Sequence, residues 1–338
     1  MKTVRMLGGK KTEVINVSDP DPKDDLVVVK IMASVICGTE HSAYFGMKPA
    51  PKDGGAGHEA AGVVWKTSKT SRLKEGDRVT IYPTIFENCH RCSACFSGEW
   101  LHCQDPQPSR VNMGTHTQYM LVPEYLCLPI PNDLPFEVGA MIADCIGTPH
   151  RAIKRLAVNG GDTVLITGAG PIGAAAAILA KFRNAQVIVV DVNDYRLGEA
   201  LKNGADHIFN PERDDVLARI REITGLGVEV AVECSGNEAA QLQCLDAARA
   251  GGRVAFLGIK SEVIPVHMVQ HFVLKELTLI GSWASTMPEH FEMLELIQKD
   301  LPVDRVITHR YGIDQAPTAL DTFFSGQAVK VSINPWSD

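Results

Sequence analysis

From Gly161 onward, short apolar runs alternate with segments of helical period. TVLIT, VIVVD, VEVAVE, RVAFLG and LTLIGS read as buried strands, and HIFN at 207–210 adds a short sixth. Such β/α alternation predicts a parallel sheet covered by helices on both faces, an α/β unit. Before about residue 145 the pattern differs: β-like runs such as Leu26–Met32 and Arg78–Tyr82 are separated by turn signals (KPAPKDGG, LKEGD), which predicts a β-rich domain with long loops. After Gly281 the alternation stops. A helix over Pro288–Lys299, a strand over Arg305–Tyr311, a helix over Ala316–Ser325 and a strand over Val329–Ile333 are expected there. A tail of about 55 residues is too small for a core of its own, so it is expected to fold back onto the first domain. The boundaries that follow are 1–146, 147–284 and 285–338.

Composition narrows the class. The 338 residues are 45% hydrophobic and 22% charged, an ordinary globular mixture, and 33 basic against 40 acidic residues leave −7 with no basic run. That balance argues against nucleic acid as a partner. MKTVRMLGGKKTEVINV lacks an apolar h-region, so no secretory signal is read there. The longest uncharged stretch, Thr163 to Ala180, carries Gly168, Gly170, Pro171 and Gly173 near its middle and is not expected to span a membrane. A cytoplasmic protein is the expectation.

Four of the nine cysteines fall between Cys89 and Cys103. With no secretory signal, clustered thiols favour a metal over disulfides. Cys89, Cys92, Cys95 and Cys103 have C-x2-C-x2-C-x7-C spacing, within a lobe spanning 86–105. Four thiolates so close can complete a tetrahedron around zinc and leave no position for substrate, which is a structural role. An iron–sulfur cluster is the competing metal.

The run Gly168-Ala169-Gly170-Pro171-Ile172-Gly173 sits between a strand and an Ala-rich helix. Gly168 suits a tight turn, Gly170 lets backbone N–H groups approach a pyrophosphate, and Gly173 lets helix and strand pack closely. The next strand ends at Asp191, where a carboxylate can accept from an adenosine ribose diol. That favours NAD over NADP, although Arg196 could soften the discrimination against a 2′-phosphate.

Three isolated spots offer further metal donors: Cys37 in ICGTEH, His58 in GAGHEAAG, and Asp144 with Cys145 in MIADCIGT. Each alone is bland, since a His among glycines is usually a turn residue, a Cys after an apolar run a core thiol, and an Asp a helix cap. Taken with Gly38, Thr39, Glu40, Glu59, the four-Cys lobe, GAGPIG, Asp191 and the closing Ser325-Gly326-Gln327-Ala328-Val329-Lys330, they resemble the zinc-dependent medium-chain alcohol and polyol dehydrogenases over essentially the whole chain.

The resemblance implies a GroES-like catalytic domain interrupted by a Rossmann coenzyme domain, two zinc ions per chain, NAD, and a homo-oligomer, dimer or tetramer. It makes Cys37 and His58 catalytic zinc ligands and puts the third in MIADCIGTPHRA, where the register favours Asp144 over Cys145. Glu59 is similar to a carboxylate that can enter or approach the coordination sphere, Glu40 to an acid that orients the ligand His, Thr39 to the acceptor of the hydroxyl proton, and Lys330 to a basic residue on the pyrophosphate. One departure stands out: the family pattern places a relay His where this chain has Ser42, with His41 one position early. Pocket positions fall on Ile85 and His116, with Tyr44, His41 and Trp283 expected nearby. Their polarity implies a polyol, sugar or cyclitol secondary alcohol as the small-molecule substrate. The alternative, an NAD-binding sensor or structural protein of this fold without turnover, would be marked by loss of Cys37, His58 or Thr39, and all three are present.

Overall fold

The computed structural model describes residues 1–47, 56–84, 86–110, 114–260 and 263–337. The KPAPKDGG turn and Ile85 lie outside the described residues. The chain divides into two units, Met1–Asp144 with Thr286–Leu294 and Ile307–Asp338, and Cys145–Ser285 with Glu295–Val306. The second is therefore an insertion in the first. Residues Glu295–Val306, assigned from sequence to the returning tail, group instead with the inserted unit.

The first unit is organised by the strand Leu26–Val35, whose run LVVVKIMASV is buried along most of its length. It pairs with Glu59–Lys66, Tyr119–Pro123 and Lys330–Asn334, all antiparallel, and Arg78–Ile81 and Cys127–Pro129 extend the sheet. One core gathers Val27, Val29 and Ile31 with Ile81, Tyr82 and Trp100. Another gathers Ile36, Val331 and Ile333 with Leu320 and Phe323 of the helix Ala316–Phe324. The tail thus completes the first unit's sheet, with Ile307–Gly312 parallel to Lys330–Asn334. That strand begins at Ile307 rather than Arg305 because Val303–Val306 wind into a 3-10 turn.

In the second unit six parallel strands lie in the order His207–Phe209, Gln186–Val190, Thr163–Thr167, Val228–Glu233, Ala248–Phe256, Thr278–Gly281. Counted along the chain this is 3-2-1-4-5-6, the doubly wound arrangement that binds dinucleotides where the strand order reverses. The helix Pro171–Phe182, rich in fully buried alanines, packs on that sheet. No helix among the described residues is long and apolar enough to cross a membrane.

Candidate functional site

Three turns of the first unit bring metal donors together. The Leu26–Val35 strand runs into Cys37, which starts the 3-10 turn Gly38–Glu40. His58 immediately precedes the strand Glu59–Lys66, after a turn at Gly57 with φ +87°, where a Cβ would fall 2.5 Å from Thr115 Oγ1. Only glycine fits there. Asp144 sits on a π-helical turn, Ile142–Ile146, between the helices Phe136–Met141 and Gly147–Arg155. Such turns absorb one extra residue in a helix and recur at functional sites.

The result is a compact cluster. His58 Nε2 is 3.0 Å from Asp144 Oδ2, Cys37 Sγ is 3.8 Å from the same oxygen, and the exposed Thr39 hydroxyl donates to Cys37 Sγ at 3.4 Å. Donor atoms of Cys37, His58, Glu59 and Asp144 all lie within 4.8 Å of one another. Zinc bonds of about 2.3 Å to sulfur and about 2.0 Å to nitrogen or oxygen, at tetrahedral angles, require ligand atoms roughly 3.3–3.5 Å apart. The soft thiolate, imidazole and carboxylate therefore fit this ion in both spacing and chemistry. Cys145, one residue on, is fully buried and its thiol contacts the Pro171 carbonyl at 3.7 Å.

Charge explains how the cluster is held. Burial works against a protonated His58, yet its bonds with Asp144 and Cys37 keep its pKa raised well above the usual imidazole range. Burial likewise pushes Glu59 upward, opposed by Lys330, whose ammonium pairs with Oε2 of Glu59; the two side chains are 1% and 0% exposed. Lys330, which the resemblance puts on a pyrophosphate, has Glu59 as its partner within the protein. It is buried in the first unit, on the strand beside Leu26–Val35, with its charge committed to Glu59.

Glu40 also departs from its expected partner. Its Oε1 accepts the Cys37 N–H at 2.9 Å, and its Oε2 accepts from His116 Nε2 at 3.2 Å. Burial raises its pKa, but the neighbouring histidines His116 and His58 outweigh this and leave it lowered. His58 is therefore felt through its charge. His116 is 0% exposed, so it lines no open pocket. Tyr44 is buried with its hydroxyl on Asp321, and His41 packs on the rings of Phe45 and Phe324 with centroids 4.3 and 5.9 Å away. Trp283 belongs to the second unit and is half exposed.

The four-Cys lobe forms a second donor group, with Cys89 and Cys95 sulfurs 3.9 Å apart and Cys95 and Cys103 sulfurs 3.7 Å apart. Four zinc–sulfur bonds of about 2.3 Å put neighbouring sulfurs about 3.8 Å apart, a close match. The Gln104 N–H draws Cys92 down to about 6, while burial pushes Cys95 up to about 12. A thiol cluster that shares few protons behaves in this way until a cation replaces them.

In the second unit, Gly168 has φ +90° and Gly170 caps the helix that begins with Pro171 and Ile172. A Cβ on Gly173 would lie 1.7 Å from Gly168 O, so the helix can approach the strand only at glycine. Asp191 accepts from the N–H groups of Ala169 at 2.6 Å and Asn193 at 2.8 Å, which ties its carboxylate to the glycine turn. A carboxylate offers about four acceptor sites, so capacity remains for hydroxyls. Arg196 Nη1 stands 3.8 Å from where a Gly170 Cβ would be, and burial lowers its pKa against the pull of Asp191.

Sequence reasoning missed Ser34 and Glu233. Ser34 is a buried hydroxyl in the apolar run of its strand, bonded to His116 Nδ1 at 2.8 Å. Glu233 ends the run VEVAVE and is fully buried, with its carboxylate accepting from the N–H groups of Ser235 and Gly236 at 2.7–3.1 Å. A polar group interrupting an apolar run was the available signal in both cases.

Two family profiles match the chain: zinc-binding dehydrogenase over residues 171–299 and alcohol dehydrogenase GroES-like domain over residues 23–132. The chain is 33% identical, over 346 residues of alignment covering 99% of each protein, to the L-threonine 3-dehydrogenase of Marinomonas sp. (strain MWYL1). Among solved structures, alcohol dehydrogenase TADH from Thermus sp. ATN1 matches with a TM-score of 0.89 at 23% identity over 99% of both chains. A zinc-binding dehydrogenase from Sinorhizobium meliloti 1021 bound to NADP matches with a TM-score of 0.85 at 28% identity, again over 99% of both chains.

The Glu59–Lys330 pair generates a direct test. Lys330→Met removes the ammonium paired with the buried Glu59 carboxylate and should cost about 3–5 kcal/mol in urea unfolding, with most of it recovered in the Glu59→Gln/Lys330→Met double variant. A loss below about 1 kcal/mol in the single variant would show that the pair is dispensable.

Proposed function

Because the chain belongs to the zinc-dependent medium-chain alcohol dehydrogenases, we propose that it moves a hydride between NAD and a small secondary alcohol, with Cys37, His58 and Asp144 holding the catalytic zinc. The convergence of one thiolate, one imidazole and one carboxylate within 4.8 Å carries this reading. Three protein ligands leave a fourth position for substrate, whereas Cys89, Cys92, Cys95 and Cys103 close theirs.

Each of the chain's residues has a task in the reaction. Cys37 and Asp144 supply two negative charges, which balance a dication, and Lys330 cancels the charge of Glu59 so that it does not add a third. Zinc held there would supply Lewis-acid chemistry, lowering the pKa of a hydroxyl at the open position toward neutrality. Thr39, exposed beside the cluster, receives the hydroxyl proton. With Ser42 where a relay His is expected and His41 against Phe45 and Phe324, the proton leaves Thr39 by way of the coenzyme ribose and water. Gly168, Gly170, Pro171, Ile172 and Gly173 present backbone to the pyrophosphate, Asp191 takes the adenosine ribose with Arg196 beside it, and NAD supplies the hydride chemistry itself.

Of the five positions behind the polyol, sugar or cyclitol reading, His116 and Tyr44 are buried and bonded elsewhere. A relative named for L-threonine 3-dehydrogenation offers a β-hydroxy amino acid instead. Both kinds of substrate share a carbinol carbon next to a carbon bearing a heteroatom, and that is the class proposed. Association into a homo-oligomer belongs to the same reading. It is supported by the edge strand Thr278–Gly281 and by the apolar side chains Met268, Val269, Val273 and Leu274 nearby, each 63–70% exposed.

Metal analysis should find two zinc ions per chain, and one or none contradicts the two-site reading. A panel followed by NADH absorbance should rank L-threonine or polyols above primary alkanols; a primary alkanol as best substrate would overturn the substrate class. Asp191→Ala should weaken use of NAD far more than use of NADP, and equal losses would remove Asp191 from the ribose.

A further inference from the structure

The buried residue His116 links the turn that carries Cys37 to the turn that carries His58. The His116 N–H donates to Ala56 O at 2.9 Å, and the Thr115 N–H donates to Gly57 O at 3.3 Å, which pins the turn leading into His58. The imidazole packs against that turn so closely that a Cβ on Gly57 would fall 2.7–2.8 Å from ring atoms. On its other side, Nε2 donates to Glu40 Oε2 at 3.2 Å, and the remaining oxygen of Glu40 accepts the Cys37 N–H at 2.9 Å. The third anchor is Ser34, whose hydroxyl shares a 2.8 Å hydrogen bond with Nδ1. Ser34 sits in the central strand, paired with Ala60 on one side and Ile333 on the other.

Every polar atom of the imidazole is thereby used, and the whole assembly is out of water: His116 and Ser34 are 0% exposed and Glu40 is 8% exposed. A buried carboxylate is tolerated only when its oxygens are met by donors, and both oxygens of Glu40 are. Removing His116 from Glu40 would free the carboxylate to rotate and with it the backbone that aims Cys37. Zero exposure also excludes the ring from touching substrate, so any influence on the reaction passes through the neighbours it holds.

We infer that His116 is a positioning residue that locks the Cys37 turn to the His58 turn, holding thiolate and imidazole at the spacing of one ion before the ion arrives. This rests on the zinc reading above. Groups that orient metal ligands are commonly worth 10–100-fold in metal affinity, because the ligands otherwise lose entropy on binding.

The test exploits the geometry of side-chain amides. His116→Gln places an amide nitrogen near the position of Nε2 and keeps the bond to Glu40, whereas His116→Asn reaches only the Nδ1 position and loses it. Zinc release to a chelator, measured on the folded holoprotein, should speed up by about 10–100-fold in the Asn variant and by less than about threefold in the Gln variant. The cobalt-substituted Asn variant should also show an altered thiolate band from the Cys37 site, defined as the absorbance that Cys37→Ala removes. Equal acceleration in both variants, or none in either, would overturn the inference. If neither variant folds, Ser34→Ala decides: release several-fold faster supports the anchor, and an unchanged rate refutes it. Wild-type protein whose cobalt spectrum is indifferent to Cys37→Ala would instead sink the zinc reading itself.

Discussion

Cys37, Asp144 and Glu59 set three potential anions within 4.8 Å of one another, in a part of the first unit where Glu59 is fully buried. Like charges about 4 Å apart repel by about 4 kcal/mol even at an effective dielectric of about 20, so this arrangement exists only because cations answer it. Lys330 answers Glu59 from a strand far along the chain. The bonds of Asp144 and Cys37 raise the His58 pKa well above the usual imidazole range, and a divalent ion held there would answer the charge that remains. Around that centre, Glu40 is steadied by His116, and the backbone follows the demands of charge.

The coenzyme unit solves a related problem with backbone groups. Strand Thr163–Thr167 lies between Gln186–Val190 and Val228–Glu233, and a carboxylate stands just past or at the end of each flanking strand. Asp191 and Glu233 both gather N–H groups from the loops there, at 2.6–3.1 Å. The two acids hold the loops in shape where the strand order reverses, and glycine at 168 and 173 avoids the clashes with Ser235 and with Gly168 O that side chains there would make.

What the sequence made legible was local. The β/α rhythm, the glycine turn and the four-Cys spacing each lie within a few dozen residues, and hydrogen-bond period or ligand spacing fixes them directly. What it hid was long-range. Nothing near Lys330 reveals a carboxylate 271 residues earlier. His116 looked like a pocket wall because its partners Glu40 and Ser34 are 76 and 82 residues away. The register favours Asp144 over Cys145, but no composition signal marks the π turn on which Asp144 sits.

The distance between Glu59 and Lys330 gives the site a history as well as a geometry. At a synthesis rate of about 5–20 residues per second, roughly 15–50 seconds pass on the ribosome between the two residues, while the inserted unit is made. Throughout that interval the nascent chain lacks the ammonium that pairs with Glu59, so this buried carboxylate gains its cation only once the last strand has been made.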